Sequence, residues 1–520
     1  MASAVNLRSR RSAAQLHALA GVEREIRAQD SHSRRKYLRE FNQAFTSYEA
    51  VLDSQQLKDA MHAADIVLIG DYHALPAAQR NAAGLFEQRA LAGDRRVVLG
   101  VETIFARDQH IIDEWWRREI EENELRQRIR FDIDWGYDWT PFYELLVTAR
   151  EHGDAIYGLD CMPRDNLRKI GARDRHAAAK LREIREQHPG AAVLVLFGES
   201  HLAPGHLPRA LRDEIPEAKT LTILQNVDAL YWRAAGERSD KVEAVRVNDD
   251  VVCVFNATPL EKYESYRLFL DQWSRCDTGP DFAPTIYNLI DSLANFLEIN
   301  RYSPHNGTQP KFLVDMLPEV HGNASDAMLR RLLSRKGVDE AQLENMLASV
   351  EDRGGAYLPQ VNAFHIRQFN MMQAAEDAAR FLHHACRGLP QRLNGHGAQA
   401  DASSPADDFY RRVIEDAAAY FGSRVLYPAR PSPDENEPSA ISRAAMEKAA
   451  HESARGDAAE LEASAQAWGY RIGSEIYKIY LAGKVKPRGL RRLFLAHLEK
   501  PGAARKVCTA VIAKLRAAAR

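Results

Sequence analysis

Two short segments of the chain each place a glycine, an acid, one spacer residue and a histidine in that order. They are residues 70–73 (GDYH) and residues 198–201 (GESH). The glycine lets the backbone turn sharply, and an acid and a histidine two positions apart in an extended loop point the same way. Two histidines with two or three carboxylates suffice to hold one divalent ion and leave a position open for water. The two segments therefore predict a metal or ligand site.

The elements that must position these segments are buried strands. Apolar runs at residues 66–69 and 192–197 precede them, and similar runs at residues 97–101 and 155–159 each end in an acid. Helical stretches separate the runs, so we expect βα units whose parallel strands bring their carboxyl ends to one edge of a sheet. The acids and histidines expected at that edge are Asp71, His73, Glu102, Asp160, Glu199 and His201. Asp71 and Asp160 have the alternative role of helix caps.

An aromatic stretch lies between the second and third of these strands. Five aromatic residues fall within residues 135–143 (WGYDWTPFY), mixed with acids. This density predicts a wall or lid for a flat apolar ligand; the alternative is a loop packed over the sheet edge. The expected ligand-binding residues, from this stretch and from the strand ends, are Asp71, Tyr72, Trp135, Tyr137, Trp139, Tyr143 and Asp160.

Several functional classes are disfavoured by the sequence. It holds no GxSxG nucleophile elbow, P-loop or GxGxxG fingerprint, so Ser200 is expected to be a loop residue rather than a nucleophile. The balance of 70 Lys and Arg against 72 Asp and Glu, a net charge of −2, argues against strong attraction to nucleic acid or anionic membranes. No apolar run approaches the ~18 residues of a transmembrane helix.

The cysteine pattern and the N-terminal sequence bear on the compartment. The five cysteines are scattered and form no CxxC motif, which is typical of reduced thiols rather than a disulfide framework. The chain shows neither the apolar segment of a signal peptide nor an early cysteine for a lipid anchor. We therefore expect a cytoplasmic protein.

The composition changes along the chain and predicts a division into domains. With 520 residues, two or three domains are expected. We expect a disordered basic arm (1–21), an α/β domain with a mainly parallel sheet flanked by helices (22–257), and then a mainly α-helical region. That region is expected to comprise residues 258–387 and 409–520, joined by a linker at 388–408 that is rich in Pro, Gly and Ser. We also expect the chain cut after Ala257 to fold and keep its ligand site.

The motifs together resemble the ChaN-like haem-binding protein family, which belongs to a superfamily with the erythromycin esterases and the Tiki metalloproteases. The resemblance covers about residues 54–235 and runs through the GDYH segment, Glu102, the aromatic stretch, Asp160 with Pro163 and Arg164, and the GESH segment with Pro208. It implies an α/β domain with a ligand or metal site at the sheet edge. It also implies haem binding and iron acquisition in the ChaN branch, and metal-dependent or metal-free hydrolysis in the others. The chain departs from the family in having Asp71 where Glu is usual, in lacking a lipoprotein signal, and in its long helical C-terminal region.

Three functional hypotheses follow. The first is a ChaN-like haem- or iron-binding protein, with Tyr72, His73 and Tyr143 as candidate haem ligands. The second is a metal-dependent hydrolase of a peptide or ester bond, in which Fe, Mn, Co or Zn lowers the pKa of a bound water. Its expected metal ligands are His73, Glu102, Glu199 and His201, and its expected catalytic residues are Glu102, Glu199 and His201. The third is an interaction protein whose site has degenerated. Haem or another small molecule is the expected partner, a homodimer is left open, and His365, His383 and His384 are the residues to test if the helical half supplies ligands.

Overall fold

The chain divides into two compact units. The computed structural model describes residues 13–30, 36–161, 170–235, 242–274, 279–299, 317–322, 326–387, 404–433, 441–498 and 500–519. One unit spans Arg24–Ser274, and the other combines Met1–Glu23 with Arg275–Arg520. We call them the α/β unit and the helical unit.

Strands and helices alternate along the α/β unit. The strands are β1 (Ala50–Leu52), β2 (Ile66–Asp71), β3 (Val97–Phe105), β4 (Ala155–Asp160), β5 (Ala192–Gly198), β6 (Thr220–Gln225), β7 (Ala244–Asn248) and β8 (Val251–Val254). The helices, counted from the start of the described chain, are α1 (Ala13–Gln29), α2 (Lys36–Ala44), α3 (Ser54–Ala63), α4 (Pro76–Leu91), α5 (Gln109–Trp116), α6 (Glu122–Arg128), α7 (Phe131–Asp134), α8 (Trp139–His152), α9 (Ile170–Gln187), α10 (Leu207–Glu214), α11 (Asp228–Ala234) and α12 (Pro259–Ser274). Short 3₁₀ turns at Ala106–Asp108 and Glu199–Leu202 follow β3 and β5.

Eight strands of the described chain form one sheet, in the order β1-β7-β8-β6-β2-β5-β3-β4. β2 pairs in parallel with β5 and β6, and β3 pairs in parallel with β4 and β5. β8 continues the parallel set beside β6, whereas β7 is antiparallel to both β8 and β1. The predicted α/β fold with a mainly parallel sheet is confirmed, and the carboxyl ends of its parallel strands lie along one edge.

The central strands are buried on both faces. Val67 and Ile69 belong to one apolar layer, together with Phe86 of α4, whereas Ile66 and Leu68 belong to the opposite layer. Every residue of β2, β3 and β5 is buried. Strands covered by helices on both sides need apolar residues at every position, which is why they stand out in the sequence as continuous apolar runs.

The helical unit also follows the predicted class. Its helices after α12 are α13 (Ala283–Phe296), α14 (Asp326–Ser334), α15 (Glu340–Arg353), α16 (Met371–Arg387), α17 (Pro405–Leu426), α18 (Arg443–Ser453), α19 (Ala458–Leu481), α20 (Pro487–Phe494) and α21 (Ala503–Ala519). A small sheet accompanies them, in the order β10-β11-β9, with strands β9 (Glu319–Gly322), β10 (Gly355–Leu358) and β11 (Ala363–Ile366). No helix in the described chain combines the length and hydropathy needed to cross a bilayer.

Three segments differ from the sequence expectations. Residues 13–21, expected in a disordered arm, lie in α1, because Ala14, Ala18 and Val22 form a buried stripe at helical spacing; residues 1–12 of that arm lie outside the described residues. Within the region expected to be mainly helical, residues 363–366 instead pair as β11. Helix α16 begins after them at Met371, where the Asn370 side chain accepts the Gln373 amide. Of the expected linker at 388–408, residues 388–403 are outside the described chain, and α17 already begins at Pro405.

Candidate functional site

The side chain of Glu102 lies at the centre of the polar edge. It belongs to β3 and is 3% exposed. The backbone amide of Gly198, at the end of β5, donates to Oε2 at 2.5 Å. Arg173 of α9 donates to Oε1 through Nη2 at 2.6 Å. Each carboxylate oxygen therefore already accepts one strong hydrogen bond.

Arg173 joins the carboxylates of Glu102 and Asp160, and β3 continues past Glu102 to Phe105. Its Nε donates to Asp160 Oδ1 at 2.7 Å, and its Nη2 donates to Asp160 Oδ2 at 2.9 Å, in the fork geometry that guanidinium groups favour. Burial opposes ionisation of Glu102, but Arg173, the two nearby imidazoles and the Gly198 amide together lower its pKa to about 2. Burial, reinforced by Glu102, raises the pKa of Asp160 despite the guanidinium.

His73 approaches Glu102 from β2. Its Nδ1 lies 2.7 Å from Asp71 Oδ2, and its Nε2 lies 3.7 Å from Glu102 Oε2. The Gln79 side chain of α4 donates to the other oxygen of Asp71. Asp71 therefore orients the His73 ring.

His201 approaches the same carboxylate from the turn after β5. Its Nδ1 lies 2.6 Å from Asp174 Oδ1, and its Nε2 lies 3.9 Å from Glu102 Oε1. The two imidazoles are thus arranged alike: each is held through Nδ1 by its own carboxylate, and each directs Nε2 at a different oxygen of Glu102.

Gly198 leaves the space in which these groups meet. A Cβ at this position would lie 2.9 Å from Glu102 Oε2, 3.3 Å from His73 Nε2 and 3.5 Å from His201 Cδ2. Contacts this short force the neighbouring atoms to move, and here the nearest atom is a buried carboxylate oxygen that Gly198 itself holds. Both histidines of the sequence motifs therefore lie within 3.5 Å of one point.

Glu199 forms a separate pair. Its Oε2 accepts from Lys262 Nζ of α12 at 2.9 Å, and Lys262 also donates to the Asn226 carbonyl at 3.3 Å. Burial raises the pKa of Glu199 although Lys262 opposes the shift, and Glu199 raises the pKa of Lys262 although burial opposes it. The ammonium also lies 4.7 Å from the centre of the Tyr72 ring.

The aromatic stretch divides into two groups. The rings of Trp135 and Tyr137 lie 5.2 Å and 5.3 Å from the His73 ring. Trp139 and Tyr143 instead stack on each other at 5.5 Å. The structure thus places Trp135 and Tyr137 beside the polar centre, and the other pair in a ring cluster with Phe131 and Trp115.

Four residues of this network were not predicted as site residues from the sequence. Arg173 and Asp174 lie on α9, a helix so rich in both charges that it reads as a solvated outer layer. Tyr37 of α2, which donates to Asp174 Oδ2 at 2.8 Å, precedes the first predicted strand. Lys262 follows Pro259, where the strand pattern ends. Helix positions that face inward are distinguished from the solvent face only by packing.

The side chains around Glu102 can be compared with the ligands that a metal ion or haem would need. Within the described residues, no group of three or more His, Cys, Asp and Glu side chains is arranged to hold a metal ion. Each oxygen of Glu102 already accepts one hydrogen bond, from Arg173 or from the Gly198 amide, so a metal cation there would have to share the carboxylate with a positively charged guanidinium. For haem, His73 directs Nε2 at Glu102 rather than at open space, and burial raises the pKa of Tyr72 well above its ordinary value, which opposes a phenolate ligand. Haem ligation through His73 or Tyr72 does not fit this arrangement.

A match to a family model agrees with the resemblance that the sequence motifs indicated. Residues 57–192 match the family model described as "Haem-binding uptake, Tiki superfamily, ChaN". Two solved structures are similar: the ChaN of Campylobacter jejuni with cofacially bound haem (13% identity, 39% of this chain, 91% of that chain, TM-score 0.27) and the type III effector HopBA1 (15% identity, 40% of this chain, 96% of that chain, TM-score 0.31). No curated protein matches the chain. The resemblance to the ChaN-like haem-binding family of the Tiki superfamily is therefore confirmed, on a match over residues 57–192.

Proposed function

We propose that the chain is a hydrolase of an ester or peptide bond that works through an imidazole–carboxylate centre without a resident metal ion. One observation carries the proposal: His73 and His201 face the two oxygens of Glu102 at 3.7 Å and 3.9 Å, each held through Nδ1 by an acid. A pair of oriented imidazoles around one ionised carboxylate is a general acid–base centre.

The hydrogen bonds define the protonation that this chemistry needs. A carboxylate accepts hydrogen bonds and donates none, so the Nδ1 atoms of His73 and His201 that contact Asp71 and Asp174 carry the protons. When either imidazole is neutral, its Nε2 lone pair then faces Glu102, which is also an acceptor. A water molecule, which has two hydrogens to donate, can bridge these two acceptors across the 3.7 Å between them.

The proposed reaction is water attack assisted by an imidazole. As the water oxygen bonds to the carbonyl carbon, Nε2 takes its proton, and the imidazolium that forms is stabilised by Glu102. The proton then passes to the leaving oxygen or nitrogen as the carbonyl–heteroatom bond breaks, which balances the step. Arg173 helps to keep Glu102 ionised, because it is the strongest of the neighbours that together lower the carboxyl pKa to about 2 against the effect of burial. His73, with its side chain 18% exposed, is the imidazole that solvent and substrate reach.

Haem binding is the second candidate, and the family match over residues 57–192 favours it. The rings of Trp135 and Tyr137 beside His73 offer flat apolar surfaces of the kind that line ligand sites. This candidate requires His73 to turn its Nε2 away from Glu102.

The test compares hydrolysis of p-nitrophenyl butyrate and of a fluorogenic peptide, both in EDTA, by the wild-type chain and by Glu102→Gln. We expect hydrolysis by the wild type and a loss of at least about 100-fold in kcat in the variant, the usual contribution of acid–base catalysis. His110→Ala, which removes an exposed histidine outside the site, is the matched control and should keep full activity.

Two results would count against the proposal. Equal rates for wild type and Glu102→Gln on every ester and peptide would show that Glu102 does no chemistry. Activity that EDTA abolishes and Zn²⁺ or Mn²⁺ restores would return the assignment to metal-dependent hydrolysis. A Soret band on haem titration that is lost in His73→Ala would support the second candidate.

A further inference from the structure

The Asp174 carboxylate connects Tyr37 to His201. The Tyr37 hydroxyl donates to Asp174 Oδ2 at 2.8 Å, and the other oxygen, Oδ1, lies 2.6 Å from His201 Nδ1. We infer that Tyr37 is a positioning residue, which fixes the orientation and the tautomer of His201 through Asp174. The inference rests on the proposed function, and Tyr37 lies outside the segment that matches the ChaN family model.

Two hydrogen bonds fix the plane of the Asp174 carboxylate, whereas a single hydrogen bond would allow it to rotate. Asp174 is 2% exposed, so water has little access to replace a lost donor. With Oδ2 tied to the hydroxyl, Oδ1 stays aligned with the imidazole and keeps its proton on Nδ1, which leaves Nε2 as the base. A carboxylate that orients a histidine in this way is part of the catalytic arrangement even though it does not touch the substrate.

Tyr37 is itself held in place on two sides. Its ring stacks on His206 with centroids 3.6 Å apart and planes 17° apart, and its edge meets the His201 ring at 5.6 Å. His206 Nε2 lies 2.7 Å from Glu40 Oε2, and its Nδ1 donates to the Ser200 carbonyl at 3.0 Å. Because Tyr37 and Glu40 both belong to α2, this helix is fastened twice to the segment that follows β5.

The hydroxyl, rather than the ring, is the part that acts on Asp174. Burial and the neighbouring Asp174 raise the pKa of Tyr37, so the hydroxyl keeps its proton and donates. A phenylalanine retains the stacking on His206 and the edge contact with His201 but donates nothing. Tyr37→Phe therefore separates positioning through the hydrogen bond from packing of the ring.

The experiment follows the His201 tautomer by nitrogen-15 NMR of the full-length chain labelled at histidine, with the signal assigned by its loss in His201→Gln. We expect protonated Nδ1 in the wild type and a mixture of tautomers in Tyr37→Phe. The kcat for p-nitrophenyl butyrate should fall about tenfold at unchanged KM, the loss expected for one hydrogen bond to a charged group. Tyr157→Phe is the matched control, because the Tyr157 hydroxyl also contacts a histidine, His188, at 2.8 Å, away from Glu102.

The two readouts separate this inference from the proposed function. If the wild type hydrolyses nothing, the tautomer alone decides: a change in Tyr37→Phe but not in Tyr157→Phe supports positioning, and no change overturns it. If the wild type is active, a Tyr37→Phe variant with the wild-type tautomer and wild-type kcat overturns it. Circular dichroism and urea unfolding of both variants establish that each is folded before the comparison is made.

Discussion

Lys262 and Glu199 form a buried ion pair in which the two side chains are 5% and 8% exposed and the charged atoms are 2.9 Å apart. Glu199 belongs to the GESH motif that suggested a catalytic acid, yet its carboxylate contacts the ammonium of a helix 63 positions later in the chain. The motif thus divides its two polar side chains between different tasks. His201 joins the Glu102 centre, while Glu199 anchors α12 to the sheet edge.

Replacing Lys262 by methionine should destabilise the chain strongly. The change leaves the Glu199 carboxylate buried without its partner, which costs about 3–5 kcal/mol, whereas removing both charges is often close to neutral. Burial already raises the pKa of Glu199 in the wild type, and loss of Lys262 should raise it further. In the variant, Glu199 is therefore protonated at low pH, and its ionisation destabilises the folded chain as pH rises. The deficit should therefore be larger at about pH 8 than at about pH 5.

The measurement is a double-mutant cycle by urea unfolding with Lys262→Met, Glu199→Gln and the double variant. The double variant should recover most of the stability that Lys262→Met loses. Strictly additive losses would mean that the two side chains do not interact in the folded protein.

Gly198→Ala should disable the centre without unfolding the chain. The added methyl would lie 2.9 Å from Glu102 Oε2 and 3.3 Å from His73 Nε2, so the carboxylate and the imidazole must shift. Overpacking of this kind costs about 1–3 kcal/mol. We expect hydrolysis to fall to the level of Glu102→Gln while the chain still unfolds cooperatively in urea. Gly205→Ala is the control, because a Cβ there meets no atom within 4 Å; wild-type activity in Gly198→Ala would contradict the geometry described for the centre.

Replacing Arg173 by methionine should change how the free energy of unfolding depends on pH, compared with the wild type. In the wild type the pKa of Glu102 is lowered from its ordinary 4.5 to about 2, so the carboxylate contributes stability above about pH 4.5 that is lost as pH falls toward 2. Without the guanidinium, Glu102 and Asp160 stay buried but lose the cation that they share, at a cost of about 3–5 kcal/mol near neutral pH. The cost should shrink as pH falls and the carboxyl groups take up protons.

Urea unfolding of wild type and Arg173→Met at about pH 7 and about pH 4 tests this expectation. Arg173→Lys is the control, since it keeps the charge but loses the fork geometry and should lie between the two. A difference in unfolding free energy that does not change with pH would show that Arg173 does not control the ionisation of Glu102.

The strands could be read from the sequence, because a strand buried on both faces must be apolar throughout. Residues 66–69 and 192–197 were expected, and the strands found are Ile66–Asp71 and Ala192–Gly198. Parallel pairing of β2 and β3 with β5 brings His73, Glu102 and His201 to the same edge of the sheet, as the predicted βα units require.

The partners of these residues could not be predicted in the same way. Arg173 and Asp174 lie on a helix with many charges, and only packing against the sheet selects the two that turn inward. Tyr37 and Lys262 come from helices before and after the βα units, where no strand end marks their place. Glu199 was expected at the edge of the sheet, but its partner, Lys262, could not be predicted from the sequence.

The boundary of the α/β unit lies at the end of α12. The unit ends at Ser274 rather than near residue 257, so it includes α12. Cutting after Ala257 would remove Lys262, expose surface that Leu260 now covers at 1% exposure, and break the 2.6 Å hydrogen bond from Tyr263 to Asp228. We expect residues 24–274 to fold cooperatively and to keep the arrangement around Glu102. Residues 24–257 should be unstable or aggregate, which reverses the expectation from the sequence that the chain cut after Ala257 folds. Circular dichroism, urea unfolding and the ester assay on both fragments measure this, with Lys262→Met in the longer fragment showing how much of the loss comes from the Glu199 pair. Equal unfolding free energies for the two fragments would contradict it and would mean that α12 adds nothing to the fold of the sheet domain.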